Sequence, residues 1–587
     1  MALIESAAHL AVGGIVVLAW YGLGRALLPR PRHESRLLAA LSRVGLGALA
    51  FALVTFGAAA AGVLERWEAW AAVAACAAYG LLGLRRPRLR RPGAFEGVLL
   101  AVALVTAVLA VVATLAPISS EDALYYHVAV PLMDARAHGL VELPWSWESY
   151  QPATVEMLIL DGVLLWDPVV GALAPLALGL IAAAAVFGAA RRLAGGRVAA
   201  LALAIFLVQP FAVWVATSSF VEPGIAAAVA LSLWNLVELV RRPSTQAAWL
   251  VGLFAWAAAG MKYTGVVGAG LIVLAAAVAV RRPRLVVPLA ASALVALPWY
   301  VRNAVETGNP LFPFLFHGLR PQAQAAAVRL LKGYGDGRTA GDAALLVPHF
   351  LVHGSAFDRG EYVSPLFVAF APVALLDPRA RRWAAVTLAG CACFVAFWFA
   401  ESQQARLLVP LMPPLAVAAA VGAAALAARD ALGRLVTAAV VGAALAVALG
   451  ISVVYAARFV PVVVGAESKR AFLERSVPYY EALAWVDAHA RPGERVLTDL
   501  RAGVYLPQPY EDWTPASLDP SAGPAAARRF LRGGGFSLVA VRAADVPRVA
   551  QLRGAGYRVV ARVRAHNVVS RTRAHFGPPE QVLMARP

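Results

Sequence analysis

Two adjacent carboxylates, Glu121 and Asp122, stand in Pro117-Ile-Ser-Ser-Glu-Asp-Ala-Leu-Tyr-Tyr-His-Val-Ala-Val-Pro131, directly after an apolar run. Tyr125, Tyr126 and His127 follow within one and a half helical turns. Carboxylates at the edge of an apolar segment are costly to desolvate and stay charged only with partners or water. One reading of the pair is a general base that takes the proton of a hydroxyl. The other is a helix N-cap, since Ser119-Ser120-Glu121-Asp122 before Ala-Leu-Tyr-Tyr has a capping composition. The two are compatible if Ser119 or Ser120 caps while Asp122 points into a cavity.

A third acid, Glu222, lies in Ser218-Ser219-Phe220-Val221-Glu222-Pro223. It suits chemistry beside Asp122, and equally a favourable charge in the first turn of a helix with Pro223 at its start. Three cations complement these acids. Lys262 interrupts the apolar stretch from Trp249 to Val280, Arg302 closes one in Trp299-Tyr-Val-Arg-Asn303, and Arg406 opens one in Glu401-Ser-Gln-Gln-Ala-Arg406. Cations so placed either snorkel to headgroups or hold a phosphate, where they stabilise a leaving group in transfer chemistry. His127 either hydrogen-bonds a substrate or caps a turn. His349 and His353 are four apart, a metal-ligand spacing, but no Glu stands between them and Gly354 follows, so no metal is expected.

The elements that must position these groups are membrane helices. Hydrophobic residues make up 60% of the 587 and charged ones 15%, against about 25% in soluble domains; mean hydropathy is +0.69. Apolar runs of about 18 to 26 residues cross a hydrocarbon core of roughly 30 Å. Runs such as Val98 to Ala116 do not alternate, which excludes barrel strands. The net charge of +18 does not point to nucleic acid, because the arginines sit in short loops between apolar runs and lysine is confined to Lys262, Lys332 and Lys469. Cys76, Cys391 and Cys393 lie inside apolar runs and read as free thiols acting as small hydrophobes. The first apolar run has Glu5 as its one charge before Arg25, so it reads as a retained span rather than a signal peptide.

Spans are expected at 8–28, 37–63, 68–84, 94–116, 168–190, 198–216, 223–240, 246–261, 264–280, 285–301, 363–377, 383–400, 407–428 and 435–457, about fourteen in all. Arg30 to Arg36, Arg85 to Arg91, Arg191 to Arg197, Arg241–Arg242, Arg281 to Arg284, Arg379 to Arg382 and Arg429 to Arg434 then fall on one side, the cytoplasmic one. The N-terminus, the loops 117–167 and 302–362 and the tail 458–587 fall on the other. Ala153 to Trp166, with Glu156 and Asp161 on one side, reads as a helix lying at the outer interface. In the tail, Tyr479 to Ala490 reads as a helix and Arg495 to Asp499, Phe536 to Val541 and Tyr557 to Arg564 as strands, with turns at Asp519 to Pro524 and Gly533 to Gly535. The fold class is thus an all-α polytopic membrane protein with a small C-terminal α/β extracytoplasmic domain. No phosphate-loop or dinucleotide fingerprint occurs in that domain.

A carboxylate pair just after a span, a second acid at the next outer turn and an outer C-terminal domain resemble the GT-C glycosyltransferases. The resemblance is to their family 39 group, which includes protein O-mannosyltransferases and the bacterial aminoarabinose transferase. Glu121-Asp122-Ala-Leu-Tyr-Tyr-His is similar to the group's acidic motif, and Glu222 is similar in position to its second acid. Gly260-Met-Lys262-Tyr-Thr-Gly265, Gly308-Asn-Pro310 and Gln404-Ala-Arg406-Leu-Leu-Val-Pro410 also resemble stretches of bacterial members. The resemblance covers 94–587: a transmembrane catalytic domain, 94–457, and the outer domain, 458–587. Residues 1–93 read as three additional helices. The motif departs from the group in reading Glu then Asp instead of Asp then Glu, which leaves the base as Asp122 or Glu121.

The resemblance implies inverting transfer of a sugar from a polyprenyl-phosphate donor, lying in a groove between spans, to an extracytoplasmic glycan, lipid or protein acceptor. It implies Asp122 as base, Glu222 orienting acceptor or sugar, Lys262 and Arg406 on the leaving phosphate, Tyr125, Tyr126 and His127 lining the sugar pocket, and no metal or other cofactor. The inner (plasma) membrane is the expected location. A transporter or flippase of a lipid-linked saccharide is the alternative, although no repeat of span pattern is visible and the charges gather on one face instead of mid-membrane. A non-catalytic envelope assembly protein is the third reading.

Overall fold

In the computed structural model, the residues described are all except 34, 85–90, 317–320, 508, 515–516, 519–522 and 569–577. The basic cluster Arg85 to Arg91 and the turn at Asp519 to Pro524 therefore lie largely outside the described residues. The rest is a bundle of apolar helices with one small sheet at the C-terminal end. Eight described helices are long and apolar enough to cross a membrane, or up to ten if each of two bent pairs is one span. Large apolar side chains such as Val98, Leu104 and Val108 on Ala94–Thr114 and Leu432 and Val454 on Ala431–Ala457 face outward, as lipid-facing surfaces require. The chain is a multi-pass membrane protein.

The expected count of about fourteen is not reached by full-length spans. The segment 198–216 is two helices, Gly196–Leu207 and Pro210–Thr217, bent by 61°. Pro210 lacks the amide hydrogen an unbroken helix would need. The segment 285–301 is bent by 45° between Pro283–Val295 and Leu297–Thr307. The segments 68–84, 246–261, 264–280 and 363–377 form the shorter helices Arg66–Leu81, Thr245–Ala259, Thr264–Val280 and Leu366–Leu376.

The three N-terminal helices pack tightly on one another, with Gly22 against Gly80 and Gly47 against the Trp20 backbone, where a side chain would not fit. All three cysteines are free; Cys391 is buried, Cys76 half-buried and Cys393 exposed on its helix.

The helix expected at the outer interface corrects that expectation. Thr154–Leu165 is buried on every side. An interfacial helix leaves its polar face in water. Here Glu156 meets His127, and Asp161 accepts a 2.6 Å hydrogen bond from Thr55 of the N-terminal helices.

The tail builds a five-stranded sheet, β1 (Arg495–Thr498), β2 (Tyr510–Asp512), β3 (Phe536–Arg542), β4 (Arg558–Ala565) and β5 (Glu580–Arg586), in the order β2-β1-β3-β5-β4. β1 pairs in parallel with β2 and β3, while β5 runs antiparallel to β3 and β4. The helix at Tyr480–His489 and strands β1, β3 and β4 lie where the sequence places them. β2 and β5 carry no comparable signal, β2 because it is only three residues long.

The residues after β1 and β2 rest on the loop that follows Ala94–Thr114. Tyr505 donates a 2.7 Å hydrogen bond to the Ile118 carbonyl, Thr514 a 2.9 Å bond to that of Trp145, and Arg136 a 3.3 Å bond to that of Leu506. The tail and the Asp122 loop thus share one side of the molecule.

Candidate active site

The chain leaves Ala94–Thr114 and is pinned where Ser120 Oγ donates to the Ser218 carbonyl at 2.7 Å, which brings the Asp122 and Glu222 segments together. Ala123–His127 then forms a π-helical turn, closed by Val128 N–H to Ala123 O at 3.1 Å. Such wide turns recur at functional sites because they redirect consecutive side chains. No side chain caps this turn: the residue before it, Asp122, makes no cap hydrogen bond, and Ser120, expected as a cap, donates to Ser218 instead.

Asp122 Oδ2 instead accepts from Tyr126 Oη at 3.0 Å and from Arg406 Nη1. Burial pushes the Asp122 carboxyl up, but the Arg406 charge, His127 and the hydrogen bonds from Arg406 and Tyr126 outweigh it and hold the carboxyl well below the usual range. Arg406 enters from the start of a span, where Gln404-Ala-Arg406 opens a 3-10 turn, Ala405–Leu411. Its Nε donates to Gln404 Oε1 at 2.8 Å and lies 3.8 Å from Asp358 Oδ2, and its guanidinium carbon sits 5.1 Å from the Phe220 ring centre.

A second ion pair lies alongside. Glu222 opens the helix Glu222–Arg241, and its Oε1 meets Lys262 Nζ at 2.7 Å. Lys262 stands at the break between Thr245–Ala259 and Thr264–Val280. The Glu222 side chain is 0% exposed and that of Lys262 12%. Arg406 is within electrostatic reach of Glu222 as well as Asp122. Asp122, Glu222, Lys262 and Arg406, all singled out in the sequence, therefore form one cluster of paired charges.

Glu121 is exposed at the rim, next to Asp122. His127 is buried beneath Tyr126, their rings 4.0 Å apart, and its Nδ1 is 2.8 Å from Glu156 Oε1. It props the tyrosine from below. Arg302 is set aside from the phosphate-sized cluster: its Nε is 3.0 Å from Glu306 Oε1. It shares a small polar pocket with Tyr126, Asp134, Glu148 and Glu156. Burial pushes the Glu148 carboxyl up to about 7.

A small apolar groove is lined by Leu176, Phe206, Val213, Ala216, Pro223 and Val409; Pro223 follows Glu222 in sequence and Val409 stands three residues beyond Arg406, while none of the four paired charges lines it.

Several contributors were not singled out by sequence. Asp358 reaches Arg406 from the second outer loop, on a left-handed backbone (φ 56°) that continues at Arg359 (φ 70°). Nothing in Phe357-Asp-Arg-Gly360 announces that conformation beyond the glycine after it. Glu148 and the tail residue Arg501 are the others, while Glu156 was read only as part of an interfacial helix; Arg501 lies 3.9 Å over the Tyr125 ring.

For metals, His349 and His353 both face Asp336, with Nδ1 atoms 3.3 and 2.7 Å from its Oδ2. Among the described residues, the His/Cys/Asp/Glu group compact enough to ligate an ion is Glu5, His9 and Asp167. Those groups are engaged already, Glu5 with Lys469 at 2.6 Å and His9 with Asp167 at 2.8 Å.

No family model matches this chain, and no curated protein matches it by sequence. Solved structures do. ArnT from Cupriavidus metallidurans bound to undecaprenyl phosphate aligns at TM-score 0.52 and 16% identity, over 84% of this chain and 97% of that one. The same protein in the apo state gives 0.53 and 14%, over 83% and 97%. The Archaeoglobus fulgidus oligosaccharyltransferase in the apo form gives 0.43 and 13%, over 75% and 69%. Over most of its length, this chain shares the fold of the ArnT structures.

Proposed function

We propose that this protein is a membrane glycosyltransferase that moves a sugar from a polyprenyl-phosphate donor to a hydroxyl of an extracytoplasmic acceptor, a cell-envelope glycan, lipid or protein. The observation that carries the reading is the paired cluster, Asp122 with Arg406 and Glu222 with Lys262, whose sequence neighbours Pro223 and Val409 line an apolar groove between helices. Apolar surface of that kind takes part of a prenyl chain, and the two cations take the phosphate. The fold shared with a protein crystallised with undecaprenyl phosphate supports the same donor class. The location proposed is the inner (plasma) membrane. The basic loops would be cytoplasmic, and the Asp122 loop and the C-terminal domain packed on it extracytoplasmic.

In the proposed step, Asp122 accepts the acceptor's hydroxyl proton as that oxygen bonds to the anomeric carbon from the face opposite the phosphate. The bond from that carbon to the phosphate oxygen breaks, and its electron pair leaves with the polyprenyl phosphate. Arg406 and Lys262 stabilise the charge that collects there. Glu222 holds Lys262 and orients sugar or acceptor. Tyr125 and Tyr126 wall the sugar site, with His127 behind them. Glu121, on the rim, is the second choice of base.

The test is transfer from radiolabelled polyprenyl-phosphate sugars to membrane acceptors by the wild type beside Asp122→Asn. Transfer that falls about 100-fold or more in the variant is the expected result. Full transfer by Asp122→Asn would move the base to Glu121 or Glu222, and no transfer from any donor would defeat the reading.

A further inference from the structure

The C-terminal sheet is built so that one charged side chain leaves it for the transfer site. Arg501 comes three residues after β1, at the carboxyl end of the parallel strands, where α/β sheets present their functional groups. Its backbone is left-handed, with φ 49°, a conformation that L residues adopt seldom and that the surroundings must hold. Its guanidinium lies 3.9 Å over the centre of the Tyr125 ring, and Nη2 is 3.8 Å from Glu148 Oε1. Glu148 is 8% exposed and lines the polar pocket beside Tyr126.

Asp512 of β2, 1% exposed, lies within electrostatic reach of Arg501 and its backbone amide. Its field falls on Arg501, as does that of Glu121. The hydrogen bonds from Tyr505 to Ile118 and from Thr514 to Trp145 fix the same stretch of tail on both flanks of the π-helical turn. The tail thus closes on the turn that carries Asp122, instead of presenting this end of its sheet to an outside partner.

We propose that Arg501 is a positioning residue for the transfer site, the side chain through which the C-terminal domain fixes Tyr125 and Glu148 and hence the turn that carries Asp122. This rests on the reading of that turn as the site of sugar transfer. A guanidinium stacked on an aromatic face and close to a carboxylate holds both in one geometry, and contacts elsewhere in the tail do not replace it, because transfer rates respond to displacements of about 1 Å. The domain is then a wall of the site, and its loss costs activity without touching a reacting atom.

The experiment uses the full chain in lipid nanodiscs as wild type, Arg501→Gln and Arg501→Lys. Hydrogen exchange is followed over 117–150 and over β3 and β5, and transfer is measured with a radiolabelled undecaprenyl-phosphate sugar. In Arg501→Gln, exchange at 120–128 should rise about two- to fivefold, the scale of a cation–π contact made by a half-exposed guanidinium, while β3 and β5 exchange as in the wild type. Transfer kcat should fall by a similar factor with donor KM within about twofold, and Arg501→Lys should recover part of both. Unchanged exchange at 120–128 in Arg501→Gln would overturn the proposal, and so would a loosened turn with undiminished kcat. A wild type that transfers nothing would defeat the transfer reading itself and with it any part for Arg501 in transfer, whatever the exchange shows.

Discussion

Replacing Arg406 by Gln should turn Asp122 from a weak base into one that titrates where it can be measured. The guanidinium donates directly to Asp122 Oδ2, and the two side chains are 13% and 25% exposed. Unit charges about 4 Å apart interact by ~4 kcal/mol at an effective dielectric of 20, and partial access to water halves that to ~2 kcal/mol. At 1.36 kcal/mol per pKa unit, the loss raises the carboxyl by about 1.5 units from that pair alone. Burial, which pushes the same way, is then no longer outweighed. A base must be deprotonated to act, so transfer falls on the acid side of its pKa. In the wild type without donor, the lowered carboxyl keeps the acid limb of kcat/KM below about pH 4. In Arg406→Gln, the limb should move up by about 1.5 to 3 units, on an activity already reduced by the lost phosphate contact. Arg406→Lys, which keeps the charge, should leave most of the limb in place. The assay is the pH dependence of kcat/KM for the donor in all three proteins. A limb in Arg406→Gln that coincides with the wild type's would refute the claim that this guanidinium sets the basicity of Asp122. The linked effect on stability has a definite sign. A lowered carboxyl stabilises the fold above its unfolded value, about 3.9, and that contribution disappears as pH falls through the folded value.

Two further outcomes follow from the same charges. Lys262→Met leaves Glu222 buried without its cation and should cost about 3–5 kcal/mol, seen as a lower melting temperature in detergent; Glu222→Gln with Lys262→Met should regain most of it, and a double variant as unstable as the single one would show that the pair is not what holds this helix start. Asp134, Glu148 and Asp512 lie outside the spans, and burial raises each carboxyl to about 7. Raised acids bind protons in the folded state that the unfolded chain has released, so folding stability should fall as pH rises from about 4 to 7. Melting temperatures at pH 5 should exceed those at pH 8, and Glu148→Gln with Asp512→Asn should flatten the difference; a profile that rises over this range would contradict the burial seen here.

The spans were legible because a 30 Å apolar core leaves the sequence little freedom: long uncharged runs such as Val98 to Ala116 have no other explanation. Breaks within spans were less so, since Gln209-Pro210 ends a helix at a point that hydropathy alone passes over. The cluster was legible for the same electrostatic reason. Asp122, Glu222, Lys262 and Arg406 are each a charge at the edge of an apolar run, and such charges need partners. What could not be read was anything that depends on docking. Glu156 and Asp161 suggested a helix with one wet face, because His127 and Thr55, which satisfy them, come from segments 29 and 106 residues away. Asp358 and Arg501 owe their places to left-handed backbones in loops, and no spacing rule reaches those.

Pairing of the four charges bears on how the proposed reaction is controlled. A buried ion pair seldom repays the desolvation of its two members, and apolar side chains of the same size would serve stability as well. Two such pairs within electrostatic reach of each other are better suited to exchange. A lipid phosphate that reaches the groove competes for Arg406 and Lys262 and leaves Asp122 with Tyr126 as its remaining hydrogen-bond donor. Once the guanidinium is drawn toward phosphate, with Asp358 and Gln404 on its other side, the carboxylate regains basicity at the moment the leaving group gains its cations. Water that enters before the donor meets a carboxylate already occupied. On this reading the acid limb of kcat, measured at saturating donor, should lie above that of kcat/KM for the donor, because the first reports the loaded enzyme and the second the free one. Coincident limbs would mean that Arg406 stays on Asp122 throughout, and the base would then have to be sought at Glu121.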